Sequence, residues 1–162
     1  MNTETNVYEG LARDSQAYMK FLAYAAKAEA EGHEQPAKLF RAAAGARKIY
    51  IDTYLETLTL VKSTADNLES ALASEVYEAD EIYPGFIESA KKEEHLGVKR
   101  TFICARSAKM KNIRLYEAAL ADLGSEASAD YYICTVCGNL NKGNEAVDCQ
   151  ICGKGPGAQE RI

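Results

Sequence analysis

Two Cys-x-x-Cys pairs, Cys134-Thr135-Val136-Cys137 and Cys149-Gln150-Ile151-Cys152, stand eleven residues apart near the C-terminus. Each pair can reach a single ion, and the two together bring four sulfurs to the corners of a tetrahedron. Gly138 and Gly153 follow the pairs directly, at the points where the backbone must turn tightly around a metal. Four thiolates suit iron or zinc, and spacing does not separate the two. Two disulfides are the competing reading, which a reducing cytoplasm disfavours. The segment from Tyr131 onward holds few apolar residues, too few to fold so small a module unaided, so metal binding should supply its folding energy.

A second set of chemically capable residues lies on apolar stripes. Phe40, Ala43, Arg47, Tyr50 and Tyr54 follow one another in steps of 3, 4, 3 and 4, and so do Phe102, Ala105, Lys109, Asn112 and Tyr116. That spacing keeps each set on one face of a helix. Asp14 shares a stripe with Leu11, Tyr18, Leu22 and Ala25, and Glu75 shares one with Leu68, Leu72, Ala79 and Ile82. Asp14 and Arg47 are 33 positions apart, Glu75 and Lys109 34, which marks an internal repeat of helix pairs. Each helix thus carries one ionisable residue in the middle of its apolar face. Side chains that snorkel outward are the simpler reading, but the coincidence in all four helices favours a buried network. Glu78 adds a carboxylate one turn on, and Tyr50 and Asn112 supply a hydroxyl and an amide. Such a network stabilises little, because desolvation roughly cancels the attraction, so packing alone does not account for it.

The elements that must hold these residues are legible in the stop signals. Gly32 closes a first helix, and Pro36 fits the first turn of a second. A turn near 63–66 and an N-cap at Asn67 open a third, which meets a kink at Tyr83-Pro84 and ends around 93–97. A fourth runs to Leu123, with Gly124 as its stop. Four long helices with short connections make an antiparallel bundle. The chain reads as a helical bundle over 1–124, a linker over 125–130 and a cysteine module over 131–162. Cys104 on the fourth helix reads as a small buried hydrophobe, and His33 and His95 as exposed residues at helix ends.

Charge and length exclude several functions. The 162-residue chain carries −5, divided as −1 from Asp130 onward and −4 before it, so neither part has the basic excess that nucleic acid requires. The longest stretch free of charged residues, Tyr131 to Asn141, is 11 residues, against the ~20 apolar residues that span a bilayer. No apolar block opens the chain, so a cytoplasmic protein is expected.

These residues resemble the rubrerythrin family over nearly the whole chain. The order of parts is the same, and particular stretches match: Ser15-Gln16-Ala17, Phe40-Arg41-Ala42-Ala43-Ala44, Asn67-Leu68-Glu69-Ser70-Ala71, Tyr83-Pro84 and Tyr131-Tyr132-Ile133-Cys134. The resemblance implies an all-α ferritin-like four-helix bundle with a small C-terminal rubredoxin-like metal module. It implies a non-haem iron protein that reduces peroxide at a di-iron site fed by the rubredoxin-type iron, and a homodimer.

Carried over position by position, the di-iron ligand set is mostly replaced. Asp14 stands for the first-helix Glu, Arg47 and Tyr50 for the second-helix Glu and His, and Lys109 and Asn112 for those of the fourth. Glu75 and Glu78 alone keep the pattern, which elsewhere comprises carboxylates and a Glu-x-x-His on two helices. The five charged side chains among these seven positions sum to −1 without metal. Protonated Arg and Lys cannot ligate and they repel incoming metal, so no di-iron centre is expected. The module also departs mildly: Thr135 and Gln150 stand where the family has Pro, and Ala158-Gln159-Glu160 where it has an aromatic.

Three functions follow. In the first, one iron on Cys134, Cys137, Cys149 and Cys152 carries electrons to another redox protein, such as an intact paralogue, and peroxidase activity is lost. In the second, peroxide is reduced at residual metal held by Asp14, Glu75 and Glu78. In the third, zinc fills the module of a non-catalytic binding or structural protein, since zinc has no redox chemistry.

Overall fold

The computed structural model describes residues 2–125 and 128–162, so residues 126 and 127 of the expected linker lie outside the described residues. The chain forms two compact units, Met1–Lys62 and Ser63–Ile162. This division falls between the two expected helix pairs.

The first unit is a helical hairpin. Helix α1, Thr3–Ala30, starts at Asn2, whose side chain accepts the Thr5 N–H at 2.9 Å, satisfying one of the donors that a helix leaves free at its start. It ends as Gly32 takes φ +78°, a conformation that costs a residue without Cβ nothing. Helix α2, Glu34–Thr57, follows at once with Pro36 in its first turn. The stripes meet through small residues: Ala25, Ala28, Ala37 and Ala44 are buried. Phe40 lies 5.5 Å from Tyr24 and 6.4 Å from Phe21, ring centre to ring centre, an aromatic cluster in the usual separation range. At Gly10, a Cβ would come within 3.1 Å of the Tyr54 ring, so this glycine lets the two helices approach.

The second unit repeats the motif with an interruption. Helix α3, Thr64–Tyr77, is capped by Ser63, whose Oγ accepts the Asp66 N–H at 3.2 Å. This corrects the sequence expectation of Asn67: both residue types cap, but Ser63 comes first and has an acidic residue three positions on to complete the cap. A π-helical turn, Glu78–Ile82, then leads into α4, Tyr83–Lys92, with Pro84 in its first turn. The expected kink at Tyr83-Pro84 is therefore prepared one turn earlier, by a widening of the helix. Arg106 steadies the wide turn from the facing helix, its Nε donating to the Ala79 carbonyl at 2.7 Å. Helix α5, Leu96–Ala121, ends before Gly124 at φ +89°. Phe102 contacts Tyr83 and Phe86 with ring centres 6.2 and 5.4 Å away, as Phe40 does its partners, so the repeat read from sequence recurs in packing. His33 and His95 precede α2 and α5 and are exposed. Cys104, expected to be buried, is half-buried, because it faces the module rather than a helix.

The module contains a three-stranded antiparallel sheet in the order β2-β1-β3, made of β1, Asp130–Cys134, β2, Leu140–Gly143, and β3, Gln159–Arg161. Tyr132 pairs with Asn141 on one side and Arg161 on the other. A side-chain bond from Lys111 of α5 to Gln150 ties the second knuckle to the helix. Among the described residues no helix is long and apolar enough to cross a membrane.

Candidate metal centre

The two knuckles are built alike. In the first, the Gly138 N–H donates to the Cys134 carbonyl at 2.8 Å and the Cys134 N–H to the Asn139 carbonyl at 2.9 Å. In the second, Gly153 donates to the Cys149 carbonyl at 2.8 Å and Cys149 to the Lys154 carbonyl at 2.7 Å. Both loops close only because Gly138 and Gly153 adopt φ of +73° and +70°, where a Cβ would clash with the following carbonyl. The knuckle spacing thus becomes two matched loops whose sulfurs point inward.

The four sulfurs lie within 4.8 Å of one another. Across the knuckles, Cys134 Sγ is 3.6 Å from Cys152 Sγ and Cys137 Sγ 3.4 Å from Cys149 Sγ. A tetrahedral ion with ~2.3 Å bonds to sulfur needs sulfur pairs ~3.8 Å apart. The donor set therefore fits a tetrathiolate ion with little movement. Cys134 and Cys149 are buried, and Cys137 and Cys152 half-buried.

Backbone amides prepare the thiolates. Burial pushes the Cys149 thiol up, but the N–H groups of Cys152 and Ile151 and the neighbouring sulfurs outweigh it and bring it to about 6. Burial likewise opposes ionisation of Cys134, and the Val136 and Cys137 N–H groups overcome it, lowering its pKa. Burial keeps the Cys137 thiol well above its ordinary value. At Cys152 the Lys154 N–H favours the thiolate, yet burial and the Cys134 sulfur leave the pKa raised. Each cross-knuckle pair thus has one sulfur ready to ionise and one that holds its proton, which an arriving cation displaces.

Behind β1 the module is polar. Asn139 is fully buried, its Nδ2 donating to Asn141 Oδ1 at 3.1 Å, and Asn141 Nδ2 donates to Gln159 Oε1 at 3.5 Å. Sequence reading missed this amide chain, because Asn in a cysteine-rich loop reads as a turn residue.

The charged stripe residues fall into two groups, one in each unit. In the first, Arg47 donates to Asp14 Oδ1 at 2.8 Å, and its guanidinium lies 6.0 Å from the Phe21 ring centre and 5.8 Å from that of Tyr50. Tyr50 offers its ring face here, although the sequence pointed to its hydroxyl. In the second, Lys109 Nζ lies 2.9 Å from Glu78 Oε2 and 3.4 Å from Glu75 Oε2, and 5.7 Å from the Tyr83 ring centre. Asn112 Nδ2 donates to Glu75 Oε1 at 3.3 Å. Side-chain exposure is 13% for Asp14 and 39% for Arg47, against 15%, 37% and 20% for Glu75, Glu78 and Lys109, so the expected network is part-buried, between burial and the outward snorkelling weighed against it. The long cationic stems reach their partners while keeping part of their surface wet. The hydrogen bond from Lys109 lowers the Glu78 pKa against burial. Burial alone would lower Lys109, but Glu78 and Glu75 outweigh it and raise the ammonium above its ordinary value.

No protein-family model matches the chain. It is 30% identical to nigerythrin of Nitratidesulfovibrio vulgaris, over 93% of this chain and 82% of the relative. It is 27% identical to rubrerythrin-2 of Clostridium acetobutylicum, over 86% and 85% of the two chains. Among solved structures, nigerythrin in its mixed-valence state superposes with a TM-score of 0.61 at 28% identity, covering 100% of this chain and 87% of that one. Nigerythrin in its fully reduced, all-ferrous state gives 0.61 at 27% identity with the same coverage. The expected fold class, an all-α ferritin-like four-helix bundle with a small C-terminal rubredoxin-like metal module, is thereby established.

Proposed function

Because this chain belongs to the rubrerythrin family, we propose that it is a one-electron redox protein whose tetrathiolate site holds iron and whose former di-iron positions are occupied by ion pairs. The observation that carries this reading is the pairing itself. Carboxylates at the ligand positions are engaged by the chain's own cations, Asp14 by Arg47 at 2.8 Å and Glu78 by Lys109 at 2.9 Å. A carboxylate so engaged must shed its partner before it can bind metal, and the partner's charge opposes the exchange.

Iron held by four thiolates supplies one-electron chemistry. The chain's own residues do the rest. Cys134, Cys137, Cys149 and Cys152 would hold the ion, and the buried pair Cys134 and Cys149 would keep water from one side of it. The amides of Val136, Cys137, Ile151 and Cys152 point at the buried sulfurs and stabilise negative charge there. Peroxide reduction is lost, since each carboxylate at the former ligand positions, Asp14, Glu75 and Glu78, is engaged by a cation of the chain rather than free to hold a second redox centre. The family resemblance supports a homodimer, the five free cysteines suit a reducing cytoplasm, and a chain without its own peroxidase centre would pass its electron to a separate redox partner or intact paralogue.

Metal counted by element in protein from its native source tests the reading. One iron per chain with thiolate-to-iron colour supports it. Additional iron with peroxide turnover would restore the peroxidase reading, and one zinc would make the protein non-redox. A stricter test is the quadruple variant Arg47→Glu, Tyr50→His, Lys109→Glu and Asn112→His, which should gain metal sites among the helices. A folded variant that still binds one metal would refute the placement of the old site.

A further inference from the structure

Within the second unit, α5 and the cysteine module enclose a cleft of about 520 Å3 whose walls include Arg100, Ala105, Val136, Cys137, Cys152 and Lys154. We infer that this cleft binds a small anionic one-electron carrier, bearing phosphate or carboxylate groups, and presents it to the Cys137–Cys152 side of the metal centre. The inference rests on the redox reading above and adds the port through which charge passes.

Charge is the first argument. Arg100 and Lys154 both line the cleft, are exposed and have no ion-pair partner among the described residues, and no carboxylate shares the lining with them. Two unpaired cations converge on one cleft of a chain whose net charge is −5. Four thiolates around a divalent or trivalent ion leave the centre negative and would repel an anion. The two cations offset that repulsion where an anion would approach, and raise its local concentration.

Position and size agree. The sulfurs of Cys134 and Cys149 are buried, while those lining the cleft belong to half-buried residues, so the cleft opens on the accessible side of the centre. Its volume lies in the ~300–1,000 Å3 range of small-molecule sites. Ala105 and Val136, the latter 57% exposed, give an apolar wall for the body of a carrier whose charged end meets Arg100 and Lys154. With iron held by the four cysteines, the carrier would give up one electron to the oxidised centre, and no bond or proton would move.

Two arms test the site with the full chain. In zinc-loaded protein, ferrocyanide followed by amide chemical shifts should bind with changes confined to residues 97–105, Val136 and Lys154. The double variant Arg100→Glu, Lys154→Glu should weaken that binding ~10-fold or more, while Lys142→Glu, a change at an exposed cation of β2 outside the cleft, should leave it within ~2-fold. In ferrous-loaded protein, oxidation by ferricyanide should slow ~10-fold in the double variant at low ionic strength and converge with wild type at high salt. Oxidation by a cationic cobalt(III) complex should not slow. Absence of localised binding in the zinc form overturns the inference. So does equal slowing with both oxidants, which would make the cations counter-charges of the centre. A native protein containing only zinc defeats the redox reading, while the ferrocyanide titration still decides whether the cleft binds anions.

Discussion

Replacing Lys109 by Met removes the cation that serves both Glu75 and Glu78 and keeps most of the side-chain volume. Exposed ion pairs contribute ~0–1 kcal/mol, and removing one partner of a fully buried pair costs ~3–5 kcal/mol. With Lys109 and Glu75 at 20% and 15% exposure and Glu78 at 37%, the loss should fall between, at about 2 kcal/mol at neutral pH. Urea unfolding followed by helical circular dichroism measures it. Asp52→Asn, which breaks an exposed pair with Lys48, should cost less than ~0.5 kcal/mol and serves as the comparison. The pH dependence gives the sharper signature. Glu78 is lowered below its ordinary 4.5, so its contribution is present above that value and is lost as pH falls through the depressed folded pKa. Lys109 is raised above its ordinary 10.5, so its contribution is complete below that value and is lost as pH rises through the raised one. The stability difference between wild type and variant should therefore be flat from about pH 5 to pH 10 and shrink at both ends. Adding Glu75→Gln should recover part of the loss, because one stranded carboxylate is removed. A variant as stable as wild type at pH 7, or a difference unchanged down to pH 3, would refute the ion-pair account.

Gly138→Ala and Gly153→Ala each force a Cβ into the left-handed region at φ near +70°; each should cost ~1–2 kcal/mol in the loaded module and lower zinc affinity ~10-fold, measured by competition with a chelator. Chelation should unfold the sheet around Cys134 while the helical signal stays within ~10%, checked by amide exchange, because metal supplies the folding energy of the module. Metal affinity should rise with pH from 5 to 8, since loading displaces the protons held by the Cys137 and Cys152 thiols; a pH-independent affinity would count against thiolate ligation. Gly10→Leu should destabilise by ~1–3 kcal/mol in thermal melts, because its side chain must displace the Tyr54 ring, which a Cβ alone would meet at 3.1 Å.

What sequence disclosed and what it hid divide along the range of the interactions. The knuckles were legible because their ligands, glycines and turning bonds lie within six residues of one another, Cys134 to Asn139 and Cys149 to Lys154. The stripe residues were legible because helical spacing fixes which side chains share a face, and the 33- and 34-residue separations became the ion pairs Asp14–Arg47 and Glu75–Lys109. The π-helical turn at Glu78–Ile82 was legible only as a disturbance: Pro84 has no N–H to close onto the Asp80 carbonyl and its ring crowds it, whereas the form of the turn and its bond to Arg106, 27 positions from Ala79, leave no local mark. The role of Tyr50 was also hidden, since stacking against Arg47 and hydroxyl donation demand the same residue at the same spacing. Ser63 and Asn67 are both capping types, and the signal that separates them, Asp66 three positions after Ser63, was present but outweighed by the apolar run that follows Asn67.

Each facing sulfur pair joins a sheltered member to a wet one, Cys134 to Cys152 and Cys149 to Cys137. Damage and repair therefore share a direction. Oxidants and chelators meet the wet sulfurs first, and replacement metal enters past the same two before it reaches the sheltered pair. Loss of metal from the site and its reloading should thus respond together to anything that shields that one flank.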